Sequence, residues 1–131
     1  MASIRKDFSL AAPEDSVWDA LADFGALHTR LVPGFVTDTK LDGNSRIVTF
    51  ANGAVAREIL VTSDPARRRL VYAIAPNERI VHYNGSAEVS ADGERTRCVW
   101  TVDLLPDALA GYVSSQMDLG VEAMRKAFGA S

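Results

Sequence analysis

One cysteine, Cys98, stands in a chain of 131 residues. An internal disulfide is therefore excluded, and the place of Cys98 among alternating apolar residues makes it a small core side chain. The only histidines are His28 and His82. Scattered as they are, with a single cysteine, they do not make a zinc site, and no metal is expected. No glycine-rich phosphate loop precedes a helix, and no serine sits at a nucleophile elbow. No cofactor is expected. No apolar run approaches the ~20 residues of a membrane span, so integral membrane association is not expected. Arg5, Lys6 and Asp7 stand where a signal peptide has its apolar block, which reads as a cytoplasmic protein. Positive charge is also short. Lys and Arg number 14 against 17 Asp and Glu, a net charge of −3, whereas nucleic-acid binding needs a basic face. The one basic cluster, Arg67-Arg68-Arg69, follows Asp64-Pro65 and reads as a solvated turn.

What is there has the ordinary globular balance, and the length suits one domain spanning residues 1–131. The organising stretch is Asp107 to Phe128. At 100° per residue one arc collects Leu109, Tyr112, Val113, Gln116, Met117, Gly120, Val121, Met124 and Phe128. The opposite arc holds Asp107, Gly111, Ser114, Ser115, Asp118, Glu122 and Arg125. This is an amphipathic helix. Pro106 and Asp107 suit its start, and Arg125, Lys126 and Gly129 suit its end. Such a helix runs roughly 33 Å at ~1.5 Å per residue. Strands of six or seven residues cover about 20–24 Å, so the helix is expected to outreach them and the sheet to curve round it.

Residues 3–10 alternate as a first strand, possible at an edge, with Ile4, Phe8 and Leu10 on one face and Lys6 between them. Pro13 opens a helix carrying Val17, Trp18, Leu21 and Phe24. Gly25 breaks it, and a second short helix ends at Pro33-Gly34. From there the pattern is strands and tight turns: Phe35–Leu41, Ser45–Phe50, Ala54–Thr62, Arg69–Ile74, Ile80–Ser90 and Arg95–Leu104. The inward sets are Leu70, Tyr72 and Ile74, then Val81, Tyr83, Ala87 and Val89, then Cys98, Trp100, Val102 and Leu104. Gly85 lets something approach closely. One of Arg57 and Glu58 must point inward, and alternation does not decide between them.

The expected class is α+β: a curved antiparallel sheet of about seven strands, in the order β-α-α-β6-α, around a long C-terminal helix. This order is similar to the helix-grip fold of the START / Bet v 1-like superfamily, also called SRPBCC, and most similar to its polyketide cyclase/dehydrase-like branch. Ser16-Val17-Trp18-Asp19-Ala20-Leu21, Asn52-Gly53 before Arg57-Glu58, and Asp64-Pro65 through Arg69-Leu70-Val71-Tyr72 carry the resemblance. His82-Tyr83-Asn84-Gly85-Ser86, Val99-Trp100-Thr101-Val102-Asp103 and Leu105-Pro106-Asp107 complete it. It implies a hydrophobic cavity between sheet and helix, occupied by a lipid, sterol or polyketide-like molecule.

Gln116 is the one strongly polar residue at the centre of the helix's apolar arc, between Tyr112 and Gly120. An amide flanked by a glycine is expected at a cavity wall that is mostly apolar with few polar groups. The alternative is Gln116 bonded to strand backbone and Gly120 packed on Trp100 or Tyr83. With the cavity open, leucine at either position is expected to be tolerated. The expected wall is Tyr112, Gln116 and Gly120 with Tyr72, Tyr83 and Trp100; the lid is Phe24, Leu27 and Leu31. Arg57 or Glu58 supplies the inward charge. Binding of a hydrophobic small molecule is the leading function. A cofactor-free polyketide cyclase, aromatase or dehydratase is the alternative, in which case an inward Glu58 near Tyr83 or Tyr112 would be the catalyst. A protein-interaction domain is the third. His82, Asn84, Ser86 and Asp103 read as a solvated ladder, with a homodimer contact the next option, and His28 reads as a surface residue near the mouth.

Overall fold

A strand, β1 (Ala2–Leu10), opens the chain and is followed by helix α1 (Glu14–Ala22). Two single turns come next, a 3-10 turn over Phe24–Ala26 and a wider π turn over Leu27–Leu31. Six strands then follow: β2 (Val36–Asp42), β3 (Ser45–Phe50), β4 (Val55–Asp64), β5 (Arg69–Ile74), β6 (His82–Asp92) and β7 (Arg95–Leu105). A 3-10 turn at Asp107–Leu109 leads into helix α2 (Ala110–Ala127). The structure is a computed structural model and describes residues 1–129; Ala130 and Ser131, within the expected domain, lie outside the described residues.

All neighbouring strands are antiparallel, in the order β1-β7-β6-β5-β4-β3-β2. This is the helix-grip arrangement. Its meander follows from the turns. Asp42 pairs with Ser45 and Asp92 with Arg95, which leaves two-residue loops headed by Gly43 and Gly93. Their φ values of 61° and 63° are the left-handed start that tight hairpins require. β1 pairs with β7 and forms one edge.

The helix does not outreach the sheet. α2 has 18 residues, while β6 and β7 have 11 each. At ~1.5 and ~3.3 Å per residue these are roughly 27 and 36 Å. The strands themselves coil round the helix, helped by register shifts between Val36 and Asp38 and between Leu60 and Thr62. The first turn expected for the helix, Asp107–Leu109, is instead a tighter 3-10 turn, with the Leu109 N–H donating to Pro106 O at 3.1 Å.

β6 starts at His82, two residues later than the apolar pattern suggests. The Asn77 side chain accepts the N–H groups of Arg79 and Ile80 at 2.8 and 2.9 Å, folding this segment into a turn. Val81, expected inside, is thereby 64% exposed. Gly25 lies within the 3-10 turn and marks the break between α1 and the π turn. Arg68 is not simply solvated: its guanidinium bridges Glu14 and Asp15 and ties the β4–β5 turn to α1.

The core lies between the concave sheet face and the helices. Val113, Met117, Val121 and Met124 of α2 are buried, as are Leu70, Val89, Cys98, Val102 and Leu104 of the sheet. Burial of one such side chain contributes about 1.5–3 kcal/mol. Two apolar clusters result, and Tyr83 and Trp100 pack against both. At the β1 edge, Lys6 reaches α2, with Nζ 2.9 Å from both Ser114 Oγ and Asp118 Oδ1.

Candidate functional site

A cavity of about 280 Å³ separates part of the concave sheet face from α2. The π turn contributes Leu27 and Leu31, and α2 contributes Tyr112, Gln116 and Met117. Phe35 and Phe50 meet edge to face at 5.4 Å on one wall, while Tyr72, Tyr83 and Trp100 form another. The lining is otherwise aliphatic, apart from a few polar groups.

The enclosed polar group is an ion pair. Arg46 of β3 and Glu58 of β4 stand opposite each other in register, with side chains only 6% and 7% exposed. Arg46 Nε donates to Glu58 Oε1 at 2.8 Å, and a terminal nitrogen of the guanidinium lies 2.7 Å from the same oxygen. Arg46 also donates to Phe24 O at 3.2 Å, and its guanidinium carbon stacks 3.9 Å from the Phe24 ring centre. Two buried charges are tolerated because each neutralises the other and the guanidinium gains further contacts.

Beside this pair, Trp100 Nε1 donates to the Tyr72 hydroxyl at 3.1 Å. The Tyr72 and Tyr83 rings are 6.3 Å apart. Burial pushes the Tyr72 phenol above its ordinary range, and the Glu58 charge adds to the shift. Burial does the same to Tyr83, with Tyr72 and Glu58 reinforcing it. Both therefore stay protonated hydroxyls at neutral pH. Cys98 also lines the cavity, where burial pushes its thiol up to about 12. Tyr72 lies flat on Gly85, its cross-strand partner: a Cβ built on Gly85 would come 2.4 Å from Tyr72 Cζ. The close approach expected at Gly85 is thus made by a tyrosine of the protein itself.

At the mouth, the β3–β4 turn and the β5–β6 loop meet the first turn of α2. Asn52 Nδ2 donates to the Tyr112 hydroxyl at 3.1 Å. The Arg79 guanidinium carbon is 5.9 Å from the Tyr112 ring centre. Tyr112, placed on the buried arc by periodicity, is 47% exposed because it sits at this rim.

Of the residues singled out in the sequence, Leu27, Leu31, Glu58, Tyr72, Tyr83, Trp100, Tyr112 and Gln116 line this cavity. Phe24, Arg57 and Gly120 do not. Phe24 lies behind the wall as the platform for Arg46. Arg57 projects from the opposite sheet face and pairs with Asp42 at 2.9 Å, so the inward member of the Arg57–Glu58 pair is Glu58. Gly120 is packed: a Cβ there would meet the Trp100 indole at 3.0 Å and Phe35 at 3.5 Å. Gln116 makes no side-chain hydrogen bond among the described residues and opens on the cavity. Arg46 escaped the sequence reading, although Val48 and Phe50 at alternate positions place it on the inner face. On the outer face, His82 stands opposite Leu105 and Asp103 opposite Asn84, and no hydrogen bond joins the histidine to the aspartate among the described residues. His28 is half-buried, with Nδ1 enclosed and without a partner among the described residues.

A family profile described as polyketide cyclase / dehydrase and lipid transport matches residues 1–129. The chain belongs to this family. Its fold is that of the START / Bet v 1-like superfamily. An uncharacterised protein from Bacillus thuringiensis superposes with a TM-score of 0.84 at 19% identity, covering 97% of this chain and 98% of its own. The ZhuI aromatase/cyclase from Streptomyces sp. R1128 gives 0.67 at 21% identity, covering 97% and 90%. A START superfamily protein from Mycobacterium smegmatis gives 0.71 at 14% identity, covering 95% and 97%. At these identities the likeness is one of fold. No curated protein matches the sequence significantly. No helix among the described residues is long and apolar enough to cross a membrane.

Proposed function

We propose that the protein binds a hydrophobic small molecule, of lipid, sterol or polyketide-like character, between the sheet and α2. The observation that carries this reading is the cavity itself: about 280 Å³, walled by aliphatic and aromatic side chains, with its enclosed charges neutralised in one ion pair. Sites for apolar ligands are built this way, with a few polar groups to orient the guest. Thermal shift against a panel of fatty acids, sterols and aromatic polyketides tests it. A ligand that binds the native state alone raises stability by RT ln(1 + [L]/Kd). A panel that leaves the melting temperature unmoved at saturating concentration would count against binding.

A second reading, a cofactor-free cyclase or dehydratase, is favoured by Glu58. This carboxyl stands in the cavity with the hydroxyls of Tyr72 and Tyr83 nearby, which brings a potential base and two proton donors to one wall. The aromatase/cyclase among the structural neighbours fits the same idea. Incubation with a linear poly-β-ketone mimic, followed by mass spectrometry, separates the readings. An enzyme releases water from the mimic at a rate that Glu58→Gln abolishes; a binder returns the mimic unchanged.

A further inference from the structure

We propose that the guest of this cavity is a monoanion of about two fused rings, lying with a hydroxyl inward at Glu58 and a carboxylate outward at Arg79. The proposal rests on the reading of the cavity as a binding site and specifies what it selects.

Three charged residues line the cavity: Arg46, Glu58 and Arg79. The first two cancel. Arg79 has no ion-pair partner among the described residues. One positive charge is therefore left over at the rim, in a chain whose net charge is −3. Arg79 stands beside the Tyr112 ring, and Asn52 holds the Tyr112 hydroxyl. An anion at the mouth would gain the guanidinium without leaving water completely, since Arg79 itself is exposed.

The inner end asks for the opposite partner. Both short Arg46 contacts run to Glu58 Oε1. Oε2 accepts no hydrogen bond among the described residues, yet it is not one of the enclosed unpartnered atoms. It is thus an acceptor open to the cavity, and a carboxylate oxygen is complemented by a donor. A hydroxyl supplies one without adding a second charge to a dry site.

Volume sets the body between the two ends. A dry cavity of ~150 Å³ holds one benzene. The volume here, about 280 Å³, is roughly twice that and takes two rings. The walls between Glu58 and the rim are apolar, so polar substituents belong at the ends.

Calorimetric titration of four matched naphthalenes tests this: 6-hydroxy-2-naphthoate, 2-naphthoate, 2-naphthol and 2-methylnaphthalene, against the native protein and Arg79→Gln. The hydroxy acid is expected to bind tightest. Loss of its hydroxyl should weaken binding roughly tenfold or more, as for a hydrogen bond to a charged group. Loss of its carboxylate should cost roughly two- to fivefold, as for an exposed ion pair. Arg79→Gln should reproduce that smaller loss for both acids, leave naphthol unchanged and remove the salt dependence of acid binding. Naphthol binding as tightly as the hydroxy acid, or Arg79→Gln weakening naphthol and the acids alike, overturns the proposed polarity and leaves the binding site standing. Failure of all four to bind, methylnaphthalene included, overturns the proposal together with the binding reading beneath it.

Discussion

Arg46 and Glu58 face each other across β3 and β4 with 2.8 Å between Nε and Oε1, each buried on the cavity side of the sheet. Their neighbours in sequence point the other way: Arg57, next to Glu58, pairs with Asp42 in solvent. Two ion pairs thus occupy opposite faces of the same strands. The outer one is a surface pair of little energetic weight. The inner one carries a large desolvation cost that only its partner offsets.

Removing one member should therefore hurt more than removing both. Glu58→Ala leaves Arg46 charged and buried, at a cost of about 3–5 kcal/mol. An Arg46→Met, Glu58→Leu double variant should recover most of that loss, because apolar residues of similar volume replace the pair. Urea melts of the three proteins supply the check. A double variant as unstable as the single one would mean that packing of Arg46 on Phe24, rather than charge pairing, dominates here.

Gly85 offers a tighter test of the wall. A methyl group there would sit 2.4 Å from Tyr72 Cζ, well inside contact distance. Gly85→Ala should destabilise by about 1–3 kcal/mol through overpacking, although alanine is the better strand residue on entropy alone. In a Tyr72→Leu background the same change should cost much less, since the clashing ring is gone. Coupling between neighbours of this kind is read from a double-mutant cycle. Additive losses would show that Tyr72 simply swings away.

Much of this architecture is legible in the sequence because it rests on local rules. The period of α2, the Asp-Gly and Asn-Gly turns and the alternation in β5 and β7 all match side-chain faces to one core. What failed depended on three-dimensional placement. Val81 continues the alternation of β6, but the Asn77 turn removes it from the strand. Tyr112 has helical phase for burial, but it lies beyond the covering sheet at the rim. Gly120 resembled a gap, yet the gap belongs to the Trp100 indole, which comes from a strand far away in sequence. Glu58 and Arg57 were undecided because each occupies one face of an amphipathic strand, and only the in-register Arg46 distinguishes the faces.

Alkaline pH should expose the buried thiol. Cys98 is raised from 9.0 to about 12 by burial. A raised acid contributes stability that is complete below the unfolded value and is lost as pH climbs through the folded one. The window is thus pH 9.0 to about 12. Tyr72 and Tyr83, whose model value is 10.0, add their own loss only above that. Between pH 9 and 10 the unfolding free energy of the native protein should therefore fall more steeply than that of Cys98→Ala, by up to ~1.4 kcal/mol per pH unit. The alanine variant carries a constant offset from lost packing, so the slope is the quantity to compare. Identical slopes would place the thiol in contact with solvent.

Gln116 and Gly120 sit one turn apart on α2 and should respond oppositely to leucine. Gln116 opens on the cavity and makes no side-chain hydrogen bond among the described residues. Gln116→Leu removes an amide that is hydrated when the cavity is empty, so stability should stay within about 0.5 kcal/mol of the native value or rise. Gly120 faces the Trp100 indole at 3.0 Å. There, leucine adds four carbons to occupied space. The gain in helix propensity over glycine, about 1 kcal/mol, is smaller than the expected overpacking cost of about 1–3 kcal/mol. Gly120→Leu should therefore destabilise, against the tolerance suggested by the sequence, and should move the Trp100 fluorescence maximum as the indole is displaced. Guanidinium melts followed by tryptophan emission read both variants in one experiment. Two tolerated leucines would mean that the open space extends past Trp100 to Gly120; two destabilising ones would mean that the helix is packed against the sheet along its whole length.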